Sequence, residues 1–99
     1  MRIVWSPLAV QRAYEAAGYI AADKPEAALR WLDELFEVTD RLEQFPESGR
    51  IVPEIGSPEF REVIHGRAWR VIYRIEKTRV SILTVRSAAQ LLDEADLRR

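Results

Sequence analysis

Cysteine is absent from this sequence, which excludes a disulfide framework and thiolate metal sites and fits a reducing compartment. A single histidine argues against a His-based metal centre, so neither a metal nor a cofactor is expected. No apolar run approaches the ~20 residues that a membrane helix needs. The opening MRIVWSPLAV has no apolar core of the signal-peptide kind, and a cytoplasmic location without a membrane partner is the expectation. Glycine and proline are sparse, at four and five residues. With 47% hydrophobic and 31% charged residues this excludes a disordered or collagen-like chain. The 99 residues are expected to form one domain, 1–99, whose core is small enough that a bound partner would add usefully to its stability.

A large excess of either charge is also lacking, since the formal net charge is −1. The distribution is uneven. Residues 1–55 carry six basic and ten acidic side chains, whereas residues 56–90 carry Arg61, Arg67, Arg70, Arg74, Lys77, Arg79 and Arg86 against Glu59, Glu62 and Glu76. A polyanion binder usually shows a larger basic excess, so direct DNA binding by the chain alone is not expected. Any anion-binding surface must be local and lie in the C-terminal half.

What is present is a clear order of elements. Arg2–Trp5 reads as a short strand, stopped by Ser6-Pro7, where Ser6 can cap a helix and Pro7 occupies its first position. Ala9, Ala13, Ala16 or Ala17, and Ile20 give that helix a small-residue face, with Gly18 as a weak point. A second helix is expected from the Asp23/Glu26 capping pattern and Pro25. Ala28, Trp31, Leu32, Leu35, Phe36, Thr39 and Leu42 form its apolar face, and Phe45-Pro46 sets its end near Gln44. After a turn-rich stretch the period changes from 3.6 to 2. Phe60–Ile64, Ala68–Ile75 and Val80–Arg86 read as strands, joined by turns at His65-Gly66-Arg67 and Glu76–Arg79. In the middle strand Trp69, Val71, Tyr73 and Ile75 share one face, and Arg70, Ile72 and Arg74 the other. Ser87-x-x-Gln90 predicts a short terminal helix carrying Leu91, Leu92 and Ala95.

Several strings in this order carry a resemblance: Trp5-Ser6-Pro7, Tyr19-Ile20-Ala21, Pro25-x-Ala27-Ala28, Phe45-Pro46-x-x-Gly49-Arg50, Arg61-Glu62, Trp69–Ile75 and Val80–Val85. Together they resemble the RelE/ParE family of toxins from bacterial toxin–antitoxin pairs, over almost the whole chain. The resemblance implies an α+β fold, with a helical hairpin packed on a small twisted antiparallel sheet that the first strand joins. It also implies a cognate antitoxin, which would lay an extended or helical segment over the hairpin and the sheet groove.

Two branches of that family differ in target. ParE-like members are associated with poisoning of DNA gyrase, and RelE-like members cut mRNA on the ribosome. Metal-free RNA cleavage needs a proton acceptor, a proton donor and cations around the phosphorane. Where many family members carry a His followed by Gly and basic residues, this chain reads Ser87 and continues into an acidic, leucine-rich tail. Ribosome binding also favours basicity that a net charge of −1 does not supply. The expectation is therefore a ParE-like, non-enzymatic gyrase inhibitor. The alternatives are a ribosome-dependent endoribonuclease using Arg61, Tyr73 and Arg86, and a non-toxic interaction module of the same fold.

Arg61, Arg70, Arg74 and Arg86 are the candidate residues for contact with target or antitoxin. Set against this, Arg61 can form an ion pair with a helix carboxylate, and Arg70 and Arg74 can be a solvated sheet surface. Tyr73 fits core packing as well as acid–base work. His65 is expected as a turn residue, Glu54 as a solvated loop residue, and the Trp31, Leu35 and Phe36 stripe as core unless one edge is left for the antitoxin.

Overall fold

The computed structural model describes residues 1–66 and 68–98; Arg67, part of one predicted turn, and Arg99 lie outside them. The elements are β1 (Arg2–Trp5), α1 (Pro7–Ala21), α2 (Pro25–Asp40), β2 (Arg50–Ile51), β3 (Phe60–His65), β4 (Trp69–Ile75) and β5 (Arg79–Ser87). They form a five-stranded sheet of order β1-β5-β4-β3-β2 with the helical hairpin on one face. This is the expected α+β architecture with one difference of direction. β1 runs parallel to β5, so the sheet is mixed, while β2 through β5 pair antiparallel. Parallel neighbours need a long crossover, and the hairpin between β1 and the rest of the sheet supplies it. Among the described residues no helix is long and apolar enough to cross a membrane.

Ser6 fixes where the first helix leaves the sheet. Its Oγ accepts from the Ala9 amide at 3.0 Å and donates to the Leu83 carbonyl at 2.8 Å, so one hydroxyl caps α1 and ties it to β5. Ala9, Ala13, Ala16 and Ala17 are buried, and their small size brings α1 close to β5. Trp31, Leu35 and Thr39 are the matching buried face of α2, followed by Leu42 in a 3-10 turn over Arg41–Glu43. Phe36, expected in this core, stays 39% exposed although its ring packs edge-on against Trp5.

Four local expectations are corrected. The Asp23/Glu26 capping box does not form, because the amides of Asp23 and Lys24 still bond back to the Ile20 carbonyl. Lys24 is the cap residue, without a side-chain bond. β2 is an additional strand, too short for any period to show. His65 is no turn residue: it ends β3, buried, with Nε2 3.1 Å from the Trp31 carbonyl oxygen. Ser87 and Gln90 do bond reciprocally, but they close a turn. The terminal helical piece is a 3-10 turn at Glu94–Leu97, boxed by Asp93 and Asp96.

The pairing of β4 and β5 contains a bulge. Ile72 lies opposite Thr84 and Tyr73 opposite Ile82, which leaves Leu83 as an extra residue. Val80, Ile82 and Val85 therefore face the helices with Val71 and Tyr73. Leu83 turns the other way and joins Val52 and Ile72 in a second, smaller core, against which Leu92 and Leu97 pack.

Two glycines give opposite predictions. A Cβ at Gly18 would meet nothing within 4 Å, so Gly18→Ala is expected to raise unfolding free energy by about 0.5–1 kcal/mol. A Cβ at Gly49 would lie 2.6 Å from both the Glu62 carbonyl oxygen and the Tyr73 hydroxyl, so Gly49→Ala is expected to cost about 1–3 kcal/mol. Denaturant melts of the two variants check both signs.

Candidate functional site

Strand alternation and register divide the predicted residues between two faces. Arg61 lies opposite Tyr73 on the helix-facing side, and Arg70 lies opposite Arg86 on the other side, which it shares with Arg74. Of the three residues that an RNA-cleaving site would combine, Arg61 and Tyr73 thus share one side of the sheet and Arg86 lies on the other.

Arg70 is buried and its guanidinium is fully engaged. Nε donates to Glu62 at 2.7 Å, the two terminal nitrogens donate to the two Glu54 oxygens at 2.7 Å each, and one also reaches the Gln90 carbonyl at 3.1 Å. The second Glu62 oxygen accepts from Arg50 Nε at 2.6 Å. Glu54 is no freely solvated loop residue. Hydrogen bonds from Arg70 are the main cause that holds its carboxyl at about 2, and the Leu92 amide adds to the effect. Arg70 responds in kind, its pKa raised chiefly by the bonds to Glu54.

Arg86 is engaged at a second buried carboxylate, Asp96. Arg86 Nε reaches both Asp96 oxygens at 3.0 and 3.1 Å, Thr84 donates at 2.9 Å, and Arg12 crosses from α1 to bond at 2.9 Å. Asp93 takes the other end of Arg86 at 2.9 Å. Burial by itself would raise the Asp96 pKa, but the bonds from Arg86, Asp93 and Thr84, with the charge of Arg12, outweigh it and lower it. An open cleft of about 370 Å³ beside α1 is lined in part by Arg12 and Arg86, whose charges are already met by this carboxylate. Arg74 is less committed: it lies over the Phe60 ring at 5.2 Å, with Glu59 3.8 Å away.

On the helix-facing side Tyr73 is fully buried. Its hydroxyl donates to the Pro46 carbonyl at 2.6 Å and accepts from the Gly49 amide at 3.0 Å. Burial raises its pKa, so at neutral pH it is a protonated phenol holding a loop. Arg61 clasps the same loop through the carbonyls of Pro58, Glu47 and Gly49 at 2.9, 3.3 and 3.1 Å. Among the described residues it makes no ion pair with a helix carboxylate; backbone oxygens are its partners. Sequence reasoning missed Glu62, Asp96 and Arg12, the residues that balance the sheet arginines. Glu62 in the middle of the predicted strand Phe60–Ile64 was the available signal. Its partner could be named only once the β3–β4 register was known.

These carboxyls make stability depend on pH. Glu54 and Asp96 titrate lower in the folded than in the unfolded chain, so their contribution is complete above the ordinary value of 4.5 for Glu54 and fades as pH falls toward about 2. Melting temperature is expected to drop over that window, and Glu54→Gln should lower it at pH 7 while shrinking its drop on acidification. A titration of melting curves for both proteins measures this.

Comparisons with known proteins agree with the geometry. A family model described as the ParE toxin of the type II toxin–antitoxin system parDE matches residues 3–92. A protein of Sinorhizobium fredii named "Putative toxin Y4kP" is 35% identical over 89 residues, 90% of each chain. A solved structure titled "Chromosomal ParDE TA system from P. aeruginosa" shares the fold with a TM-score of 0.74 at 20% identity, covering 88% of this chain and 95% of that one. The family match over nine-tenths of the chain, on a sheet and hairpin of the same design, decides the assignment: the chain belongs to the ParE family of toxins of type II toxin–antitoxin systems.

Proposed function

We propose that this toxin acts by binding and stalling DNA gyrase, without catalysing a reaction, and that a cognate antitoxin neutralises it in the cytoplasm. The observation that carries this reading is that Tyr73 is spent on holding a loop and that, although Arg61 lies beside it, Arg86 does not reach that face. Tyr73 is a buried, protonated phenol bonded to Pro46 and Gly49, and Arg86 lies across the sheet in a carboxylate cage. A nuclease needs those groups around one phosphate. The likeness to ParE toxins over residues 3–92 supports the gyrase branch.

Of the four arginines proposed for contact with target or antitoxin, Arg61 and Arg74 are the better suited. Both are only partly covered and neither enters a buried carboxylate cage. Arg70 and Arg86 would have to release partners of their own chain first.

The test is a pair of assays on the purified chain. Gyrase supercoiling is expected to be inhibited at micromolar protein, and a translation extract is expected to show no ribosomal A-site cuts. Tyr73→Phe separates the readings further. Losing the hydroxyl should cost about 1–3 kcal/mol of stability by stranding the Gly49 amide and Pro46 carbonyl, yet leave gyrase inhibition intact in the folded fraction. Cuts that vanish in Tyr73→Phe and Arg61→Ala would overturn the proposal.

A further inference from the structure

The cleft of about 370 Å³ beside α1 opens into a second of about 480 Å³, and Tyr19, Trp69 and Gln90 line both. Each has the volume of a small-ligand site, and aromatic rings stand where the two meet. Tyr19 is 78% exposed, so its ring is not spent on the core. It meets Trp69 edge-on, with centroids 6.5 Å apart and planes at 71°, and Trp69 is backed in the same way by Trp31 at 5.8 Å. A near-perpendicular pair of this kind leaves a corner bordered by a face of each ring, and ring faces carry negative potential.

The charges around the corner decide what it can hold. Arg12 and Arg86 line the first cleft, but the side chains of both are four-fifths or more covered and bond to Asp96, and Arg86 also holds Asp93. Two cations against two carboxylates leave no excess there. Glu15 lines the same cleft and is exposed, one turn before Tyr19 and therefore its neighbour on the helix surface. Its carboxylate accepts from the Gln11 amide at 2.9 Å and makes no ion pair among the described residues. The uncompensated charge that lines the cleft is thus negative and stands beside the rings.

From this we propose that the corner between Tyr19 and Trp69 is a binding site for a small alkylammonium ligand. The cation rests against the ring faces, and Glu15 meets its charge from α1. A bare metal ion does not suit the corner, because the rings and the buried Ala16 and Val85 side chains offer it no cage of oxygen ligands. An anion is opposed by the ring faces and by Glu15. This site goes beyond the toxin reading and does not rest on gyrase being the target.

Tetramethylammonium and the diamine putrescine are the probes, titrated into the full chain and followed by NMR. Neopentyl alcohol is the neutral control of similar shape, and acetate the anionic one. Both cations are expected to bind in the millimolar range, to move the Trp69 indole signal, and to have their own protons shifted upfield by the ring faces. Neopentyl alcohol should bind about threefold more weakly or worse, and acetate not at all. Glu15→Gln and Tyr19→Leu change exposed positions, so their melting temperatures should match the parent's while their affinity for both cations falls by about threefold or more. Tyr14→Leu, exposed on α1 but outside both clefts, should bind like the parent. Equal affinity for neopentyl alcohol, binding of acetate in the same cleft, or full affinity in either cleft variant overturns the proposal. A short lysine-bearing peptide is the last arm: if it binds more tightly than both free cations, the corner belongs to a partner's side chain and the small-ligand assignment falls.

Discussion

A carboxylate buried between strands must find its cation in place, and Glu62 imposes that condition on the whole sheet. At 1% exposure it cannot fall back on water, so Arg70 from β4 and Arg50 from β2 converge on its two oxygens. Such a pair adds little net stability over an apolar substitute, but removing one member strands a buried charge at a cost of about 3–5 kcal/mol. The pair therefore acts on register. A slip of one residue along β3 would send Glu62 into the helix-side core and bring Arg61 or Val63 to the arginines. Glu54 and the Gln90 carbonyl join the same guanidinium, so the loop before β3 and the segment after β5 are held by the charge that aligns the strands.

Folding redistributes charge in a way that the linear order conceals. The basic excess of residues 56–90 is met from outside that stretch, by Glu54 before it and by Asp93 and Asp96 after it. With those carboxylates drawn onto the sheet, most of the acidic side chains that make no ion pair among the described residues belong to the hairpin. The two faces of the molecule thus differ in kind: the open face of the sheet is locked by buried ion pairs, and the hairpin is left with an acidic excess.

Local features were legible wherever neighbours in sequence supply the physics. Ser6-Pro7 starts α1 because a hydroxyl and a fixed φ act within three residues. Phe45-Pro46 ends the helical run because the clash with proline is local. Failures occurred where a distant or competing bond decided. The amide of Asp23 was already held by Ile20, Ser87 and Gln90 closed a turn, and β2 exists only because β3 pairs with it. Leu83 illustrates the same limit: alternation alone cannot locate the bulge that turns it into the second core.

Taken alone, the sequence determined the two helices, the three long strands and the family, since these rest on periodicity, caps and the order of short strings. The tertiary structure decided the parallel direction of β1, the partners of Arg70 and Arg86, and which charges stay uncompensated. Those outcomes depend on groups tens of residues apart meeting in a medium where an unpaired charge is expensive. No local propensity encodes that meeting.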